Sequence, residues 1–486
     1  MKKIFNTKTI LIGIFLLTLA FRLYFAFQTN NFSSDDAYFH LRHANYIKEN
    51  IAPMFYDELS YGGRYSLYPP LFHYFVLLIM YIPFALKIIP EVLLASLVFI
   101  IFLLSKRITN DDNSSLFAAS ISAFVPLFIG YTVNQLSIYS VVLPITFYMF
   151  YCFMRLEEEK YLNRFIFLSF VLPLLHPTAF LFMLAMLLYV MLASAEDIKL
   201  SKIKREAIIF SSFLILFIGF IIYKRAFLTY GLDIIFGNIP FSLFSEYFRD
   251  ISLLEIFYYT GIIPLFFGGA AMFYNVFREK NDNVFLLGSF MLIDLLLLVT
   301  GLIDINVGLM LIGLTTSVLS AVAVSKFFKY IKLTKFSKFT WSFFILRAIL
   351  IVLLLIFPSF VAAKTVVSST PTDDDINALG FLRDNLEDVT ILGNAYEGNM
   401  INAIAGKKNV MDNFYLLAPN PEQRLNDINV IYNTGSNAIA SELLQYNKIG
   451  YVFLSTKTKR LYNITDLKYK NEICFKEFGK GYKVLC

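Results

Sequence analysis

Apolar runs long enough to cross a bilayer recur along most of this 486-residue chain, and no other feature limits its fold so strongly. They fall near 9–27, 70–87, 89–105, 115–131, 138–153, 164–175, 178–194, 207–223, 256–276, 284–300, 305–324 and 341–360. In lipid each run must satisfy its own backbone hydrogen bonds, so unbroken apolar runs of this kind fold as helices. Hydrophobic residues make up 57% of the chain and charged ones 16%, against about half and about a quarter in a soluble domain. The formal net charge of +6 does not mark a nucleic-acid binder, because the basic residues sit in short loops between apolar runs. A mostly α, polytopic membrane protein is expected.

Charge orients it. The start, MKKIFNTKTILIGIFLLTLAFRLYFAF, has the basic front of a secretory signal, but its apolar run is long and lacks a convincing small-residue cleavage site. It reads as a retained first helix with its N-terminus inside. The loop 325–339 carries Lys326, Lys329, Lys332, Lys335 and Lys338, and 196–206 carries Lys199, Lys202, Lys204 and Arg205; both belong inside. One further span then takes residues 365–486 to the outer face. Counting backward puts 131–137, His176 and the loop 224–255 outside too. Twelve spans would return the tail inside, so about eleven or thirteen are expected. The departure is placed at 70–105, where Pro83 and Pro90 interrupt the pattern.

Two domains follow: a polytopic domain over 1–364 with an external loop at 28–69, and a soluble extracytoplasmic α/β domain over 365–486. In the latter, TDDDINALGFLRDNLED and NAIASELLQY read as helices, and VTILGNAY, KNVMDNFY, KIGYVFLS and GYKVLC as strands. Cys474 and Cys486 could pair there.

The external loop holds SSDDAYFHLR at 33–42. Ser33 followed by Asp36 has capping-box spacing, so a helix is expected to start here. On such a helix Asp36, His40 and His43 share a face, while Asp35 and Arg42 lie on a neighbouring one. Acids in a first turn are also ordinary dipole compensation, and Tyr, His and Arg are ordinary interface anchors, so spacing alone leaves both readings open.

The stretch Asp36-Ala37-Tyr38-Phe39-His40-Leu41-Arg42 resembles the Asp-x-Tyr-x-His-Leu-Arg motif opening the first external loop of the oligosaccharyltransferase catalytic subunit, above all the archaeal form. FRLYFAF and YPPLFHYF resemble the wider GT-C family of polyprenyl-phosphate-dependent membrane glycosyltransferases. The tail from NAYEGNMINAIAG to YNKIGYVFLS resembles the region around that subunit's Trp-Trp-Asp-Tyr-Gly motif. The resemblance implies a GT-C fold and a catalytic role for Asp36, as base or as ligand of a divalent cation such as Mg2+ or Mn2+, with Asp35 as its alternate. It implies that cations at the outer face hold the donor phosphate. Arg42, His43, Arg64, Lys224, Arg225 and Arg249 are the candidates, and His40, Asn134, His176 and Glu246 are candidate site-lining residues.

The pattern also breaks. The next external loop, LFIGYTVNQLSIY, has Asn134 and Gln135 where the family has an acid, which puts metal dependence in question. Asn394-Ala395-Tyr396-Glu397-Gly398 stands where the acceptor-reading motif would be, and the one tryptophan is Trp341. The expected function is transfer of a sugar from a polyprenyl(dolichyl)-phosphate-linked donor to an extracytoplasmic glycan or protein acceptor, at the cell membrane and without nucleic acid. The alternatives are a divergent oligosaccharyltransferase acting on protein Asn, or an inactive or transporter-like scaffold, for which Asp294 would be the midplane charge.

Overall fold

The computed structural model describes residues 6–235, 239–243, 252–335, 349 and 351–486, and the chain in it divides into two compact units. One comprises Met1–Gln28, Phe84–Ile221 and Asp250–Val366; the other comprises Thr29–Pro83, Ile222–Arg249 and Val367–Cys486.

The first unit is built of apolar helices. Among the described residues of the whole chain, seven helices are long and apolar enough to cross a membrane: Thr7–Ala26 (α1), Ala85–Thr109, Thr178–Ala195, Lys202–Ile235, Asp282–Val299, Ile305–Ile331 and Val352–Asn385. The pair Leu253–Thr260 and Ile262–Glu279, bent by 93°, makes an eighth if counted as one span. Gly261 sits at that bend with φ +93°, a conformation that side chains disfavour. The other apolar runs form shorter helices, such as Asp112–Ser122, Pro126–Gly130, Tyr139–Phe153 and Glu159–Leu175. The 341–350 part of the last run lies outside the described residues, Ile349 excepted.

The segment 70–105 breaks at Pro83, not at Pro90. Leu71–Ile79 is a nine-residue helix, only about 14 Å long at 1.5 Å per residue. Phe84 then turns at φ +60°, and Ala85–Thr109 runs 25 residues straight through Pro90. A run that reads as a span is thus too short to be one.

The helix Ile305–Lys332 is the buried centre of this unit. Small residues let neighbours approach it: a Cβ on Gly268, in the helix Ile262–Tyr274, would come within 2.6 Å of the Thr316 Cβ. Asp294 is fully buried, and neither of its carboxylate oxygens has a hydrogen-bond partner among the described residues.

A buried ion pair, not foreseen from the sequence, ties α1 to Ala85–Thr109. Arg22 Nε donates to Glu91 Oε2 (2.7 Å), Arg22 Nη2 donates to Thr132 Oγ1 (2.8 Å), and the Asn134 N–H donates to Glu91 Oε1 (2.8 Å). Both charged side chains are at most 2% exposed.

In the second unit five strands form one mixed sheet, in the order β4-β3-β5-β7-β6. They are β3 (Thr390–Leu392), β4 (Lys408–Asn409), β5 (Ile449–Phe453), β6 (Phe475–Glu477) and β7 (Gly481–Val484). β3 runs parallel to β4 and β5; β7 is antiparallel to β5 and β6. Helices Asp373–Asn385, Pro421–Asn433 and Asn437–Tyr446 cover it. β6 and the helix Pro421–Asn433 are absent from the sequence reading. Cys474 and Cys486 are disulfide-bonded at the β6–β7 end.

The loop residues 29–83 belong to this same unit. A loop helix, Asp35–Asn50, is followed by the hairpin β1 (Tyr56–Asp57) and β2 (Arg64–Tyr65) and then by Leu71–Ile79. Tyr38 packs into a core with Leu379, Leu382, Ile391, Met400 and Ile401, and Tyr61 into the core around Val410, Ile428 and Tyr432.

Breaking the Arg22–Glu91 pair from one side leaves a buried charge unpaired. Glu91→Ala is therefore expected to cost about 3–5 kcal/mol, and the double replacement Arg22→Met/Glu91→Leu to recover most of it. Thermal unfolding of the purified variants checks this; equal losses in the single and double variants would contradict it.

Candidate functional site

The loop helix starts one residue later than the spacing predicts. Ser34, not Ser33, is the N-cap, and its Oγ accepts from the Asp36 N–H (3.0 Å). Ser33 Oγ instead shares a hydrogen bond with Thr370 Oγ1 (2.8 Å). With the cap in place, Asp35 and Asp36 occupy adjacent positions about 100° apart around the helix, and their surroundings differ.

Asp35 is buried. Its Oδ2 accepts from the Asn399 N–H (3.1 Å) and from Asn399 Nδ2 (2.8 Å), and its Oδ1 accepts from the Met400 N–H (2.8 Å). The carboxylate thus holds the start of the helical segment Gly398–Ala405. Gly398 is needed here, since a Cβ at that position would lie 2.1 Å from Met411 O. Burial pushes the Asp35 pKa up to about 7, against the opposing pull of Lys457 and the three N–H donors.

Asp36 is half-buried, and its Oδ1 accepts from Asn413 Nδ2 (2.7 Å). Asn413 Oδ1 accepts in turn from Asn399 Nδ2 (3.0 Å). Two amides therefore connect one aspartate to the other. Neither Asn399 nor Asn413 stands out in the sequence; both lie in the tail segments that carry the family resemblance.

The candidate cations divide. Arg42 pairs with Asp57 and contacts Met54. Arg64 donates to Ser60 Oγ (2.8 Å), Leu416 O (2.7 Å) and Asp412 Oδ1 (3.2 Å), and is buried. Ser60 Oγ also bonds Asp412, completing an internal network. Lys224 and Arg225 lie exposed on the helix Lys202–Tyr230, with the Arg225 guanidinium 3.0 Å above the Tyr65 ring. Arg249 and Glu246 lie outside the described residues.

His40 and His43 turn inward with His73, which the sequence reading passed over. His40 Nδ1 and His73 Nε2 share a hydrogen bond (3.1 Å), and the His43 and His73 rings stack at 4.7 Å. His43 Nδ1 donates to Phe39 O (3.0 Å), and Ser66 Oγ lies 3.5 Å from its Nε2. Burial, then His73 and Arg42, hold the His43 pKa well below the ordinary histidine value. At neutral pH it brings no positive charge for a phosphate.

The remaining candidates belong to the helical unit. Asn134 is buried at φ +57°, held through its backbone by Glu91. His176 Nδ1 bonds the Thr178 hydroxyl (2.6 Å) and accepts from the Thr178 N–H (3.1 Å), and its ring meets Tyr139 edge-on. Among the described residues, no three His, Cys, Asp or Glu side chains converge to hold a metal ion.

Glu397, at the place of the acceptor-reading motif, is buried. It accepts from Asn394 Nδ2 (2.5 Å), Ser455 Oγ (2.6 Å) and Thr458 Oγ1 (2.8 Å), and burial raises its pKa.

No family model matches the chain, and no curated protein does. Solved structures do. The apo form of the oligosaccharyltransferase of Archaeoglobus fulgidus matches over 93% of this chain and 69% of its own, with a TM-score of 0.68 and 15% identity. The same archaeal enzyme, AglB, in complex with an inhibitory peptide and a dolichol-phosphate matches over 91% and 69%, with a TM-score of 0.66 and 15% identity. Its complex with Zn and sulfate matches over 91% and 67%, at a TM-score of 0.64 and 15% identity. This chain has the GT-C fold of the archaeal oligosaccharyltransferase. The oligosaccharyltransferase fold here joins a multi-pass helical unit to a small mixed-sheet domain, as the motif resemblance implies.

Because Asp35 titrates near 7 when folded and near 3.8 when unfolded, the native state binds its proton more tightly. Its contribution to stability is complete below about pH 4 and is lost as pH rises through 7. The unfolding-midpoint difference between wild type and Asp35→Asn should therefore fall from pH 4 to 7 and then level. A difference independent of pH would contradict the burial argument.

Proposed function

We propose that the chain is a membrane glycosyltransferase that moves a sugar from a polyprenyl-phosphate-linked donor to an extracytoplasmic acceptor, with Asp36 as the base. The observation that carries this reading is the contrast between the two adjacent carboxylates. Asp35 is buried and bonded by three N–H donors, whereas Asp36 is half-buried and accepts from Asn413, in a chain with the oligosaccharyltransferase fold.

Asp36 takes the proton of the acceptor's attacking group as that group bonds to the anomeric carbon. The bond from that carbon to the phosphate oxygen breaks, and its electron pair leaves with the lipid phosphate. A phosphate departs without being protonated, so a second carboxylic acid, needed for ordinary glycosides, is unnecessary. Asn413 orients Asp36, and Asn399 orients Asn413. Asp35 is left as a positioning residue. Of the candidate cations, Arg42 and Arg64 are spent on Asp57 and Asp412, so Lys224 and Arg225 are assigned to the departing phosphate. AglB binds a dolichol-phosphate, which fits a donor of this class.

One carboxylate flanked by neutral amides is a weak set for Mg2+ or Mn2+, and this is why Asp36 is assigned as base. The domain over 365–486 is placed on the extracytoplasmic side with the loop 28–69. A scaffold or transporter role is less well supported, because Asp294 has no charged partner among the described residues.

Action on protein Asn is the second reading, favoured by the inhibitory peptide bound to AglB. Against it, Glu397 is buried and already bonded to Asn394, Ser455 and Thr458.

Asp36→Asn is expected to lower transfer from a polyprenyl-phosphate-linked sugar by about 10²–10⁴-fold without shifting the unfolding midpoint. Asn413→Ala should lower kcat with little change in the donor KM. Full turnover by Asp36→Asn would remove the proposed chemistry. Transfer to a sequon peptide in preference to a glycan would favour the second reading.

A further inference from the structure

A cavity of about 390 Å³ opens in the sheet-domain unit, between the hairpin around Tyr61 and the start of the helix Pro421–Asn433. Its charge is one-sided. Arg424, Lys408 and Lys448 line it against one carboxylate, Asp427, which already accepts from Asn447 Nδ2 (2.9 Å); the Asp388 carboxylate that faces Lys408 at 3.9 Å is exposed and outside the lining. Arg424 is anchored by Nη1 to Val410 O (2.8 Å) and by Nε to Pro419 O (3.1 Å), so its charge is held in place while Nη2 has no hydrogen bond among the described residues.

The helix adds to the same field. It begins at Pro421 behind Asn420, which is at φ +48° and makes no side-chain cap. The start of a thirteen-residue helix therefore lies at the cavity without a side-chain cap, its positive end offset in part by Glu422 in the first turn.

The rest of the lining is polar and suited to hydroxyl groups. Asn420, Gln423 and Asn447 offer amides, and the exposed Tyr446 ring, whose hydroxyl accepts from Gln423 Nε2 (3.2 Å), offers a flat apolar face. A second hollow of about 690 Å³ shares Asn420 and Gln423 with the first, and reaches Tyr230 and Glu422. The two adjoin at these shared residues as one groove.

We infer that this groove binds a glycan bearing an anionic group, a carboxylate, phosphate or sulfate on a sugar ring. The anion is held by Arg424, Lys408 and Lys448 at the uncapped helix start, and the neighbouring ring lies on Tyr446. The inference rests on the sugar-transfer reading for why a glycan is present, but its test reads binding alone. Failure here leaves the role of Asp36 standing, and failure of Asp36 leaves this groove standing.

The test is calorimetric titration of the full-length protein in detergent with trigalacturonate, maltotriose, glucose 6-phosphate and inorganic phosphate. Trigalacturonate or glucose 6-phosphate is expected to bind at least ten-fold more tightly than maltotriose, and the stronger of the two identifies the anion. Lys408→Gln/Lys448→Gln should weaken that binding about ten-fold with no change in the unfolding midpoint. Arg424→Gln should weaken it further, and the lysine pair decides alone if that variant fails to fold. Equal binding of maltotriose, no binding of either acid, or no effect of the lysine pair would overturn the inference. Inorganic phosphate binding as tightly as both acids would overturn its glycan part.

Discussion

A single carboxylate, Asp35, organises the sheet-domain unit. It lies at the first turn of the loop helix, and its partners, Asn399 and Met400, are more than 360 residues away in the chain. Burying a carboxylate costs several kcal/mol, and three N–H groups offset part of that cost here, the remainder showing as the raised pKa. Loop residues 29–83 are thereby fixed to the C-terminal residues by a bond that fails if either side shifts. Tyr38, one turn on, extends the contact into the apolar core.

That arrangement separates the work of two neighbouring acids. The direction of one side chain around a helix dictates that of the next, so committing Asp35 inward leaves Asp36 against Asn413. The cations divide by the same logic. Arg42 and Arg64 each have a buried aspartate within reach and are consumed by it, whereas Lys224 and Arg225 remain at the surface. A buried, paired charge is committed to holding a shape.

The membrane helices were legible because lipid admits only one solution for an unbroken apolar run. Strands β3, β4, β5 and β7 were legible as short apolar segments between turns, but β6, with Lys476 and Glu477 exposed at the sheet edge, gave no such pattern. Length misled at 70–87, where nine residues of helix end before Pro83. The motif drew attention to the loop 28–69 and to the pair Asp35 and Asp36. Which of the two faces inward was not legible, since it depends on Asn399 and Met400. Asp57 and Asp412 were likewise invisible as partners of Arg42 and Arg64, and His73 as a neighbour of His40 and His43, because no local spacing encodes them.

The central claim is that this protein cleaves a lipid-linked sugar donor, and the fate of the lipid tests it most directly. Purified wild-type protein would be given a polyprenyl-phosphate-linked sugar, labelled in the sugar, with a lipid-linked glycan as acceptor. The account predicts release of polyprenyl phosphate in step with label appearing on the acceptor. A donor that stays intact, with that acceptor and with a sequon peptide alike, would contradict it.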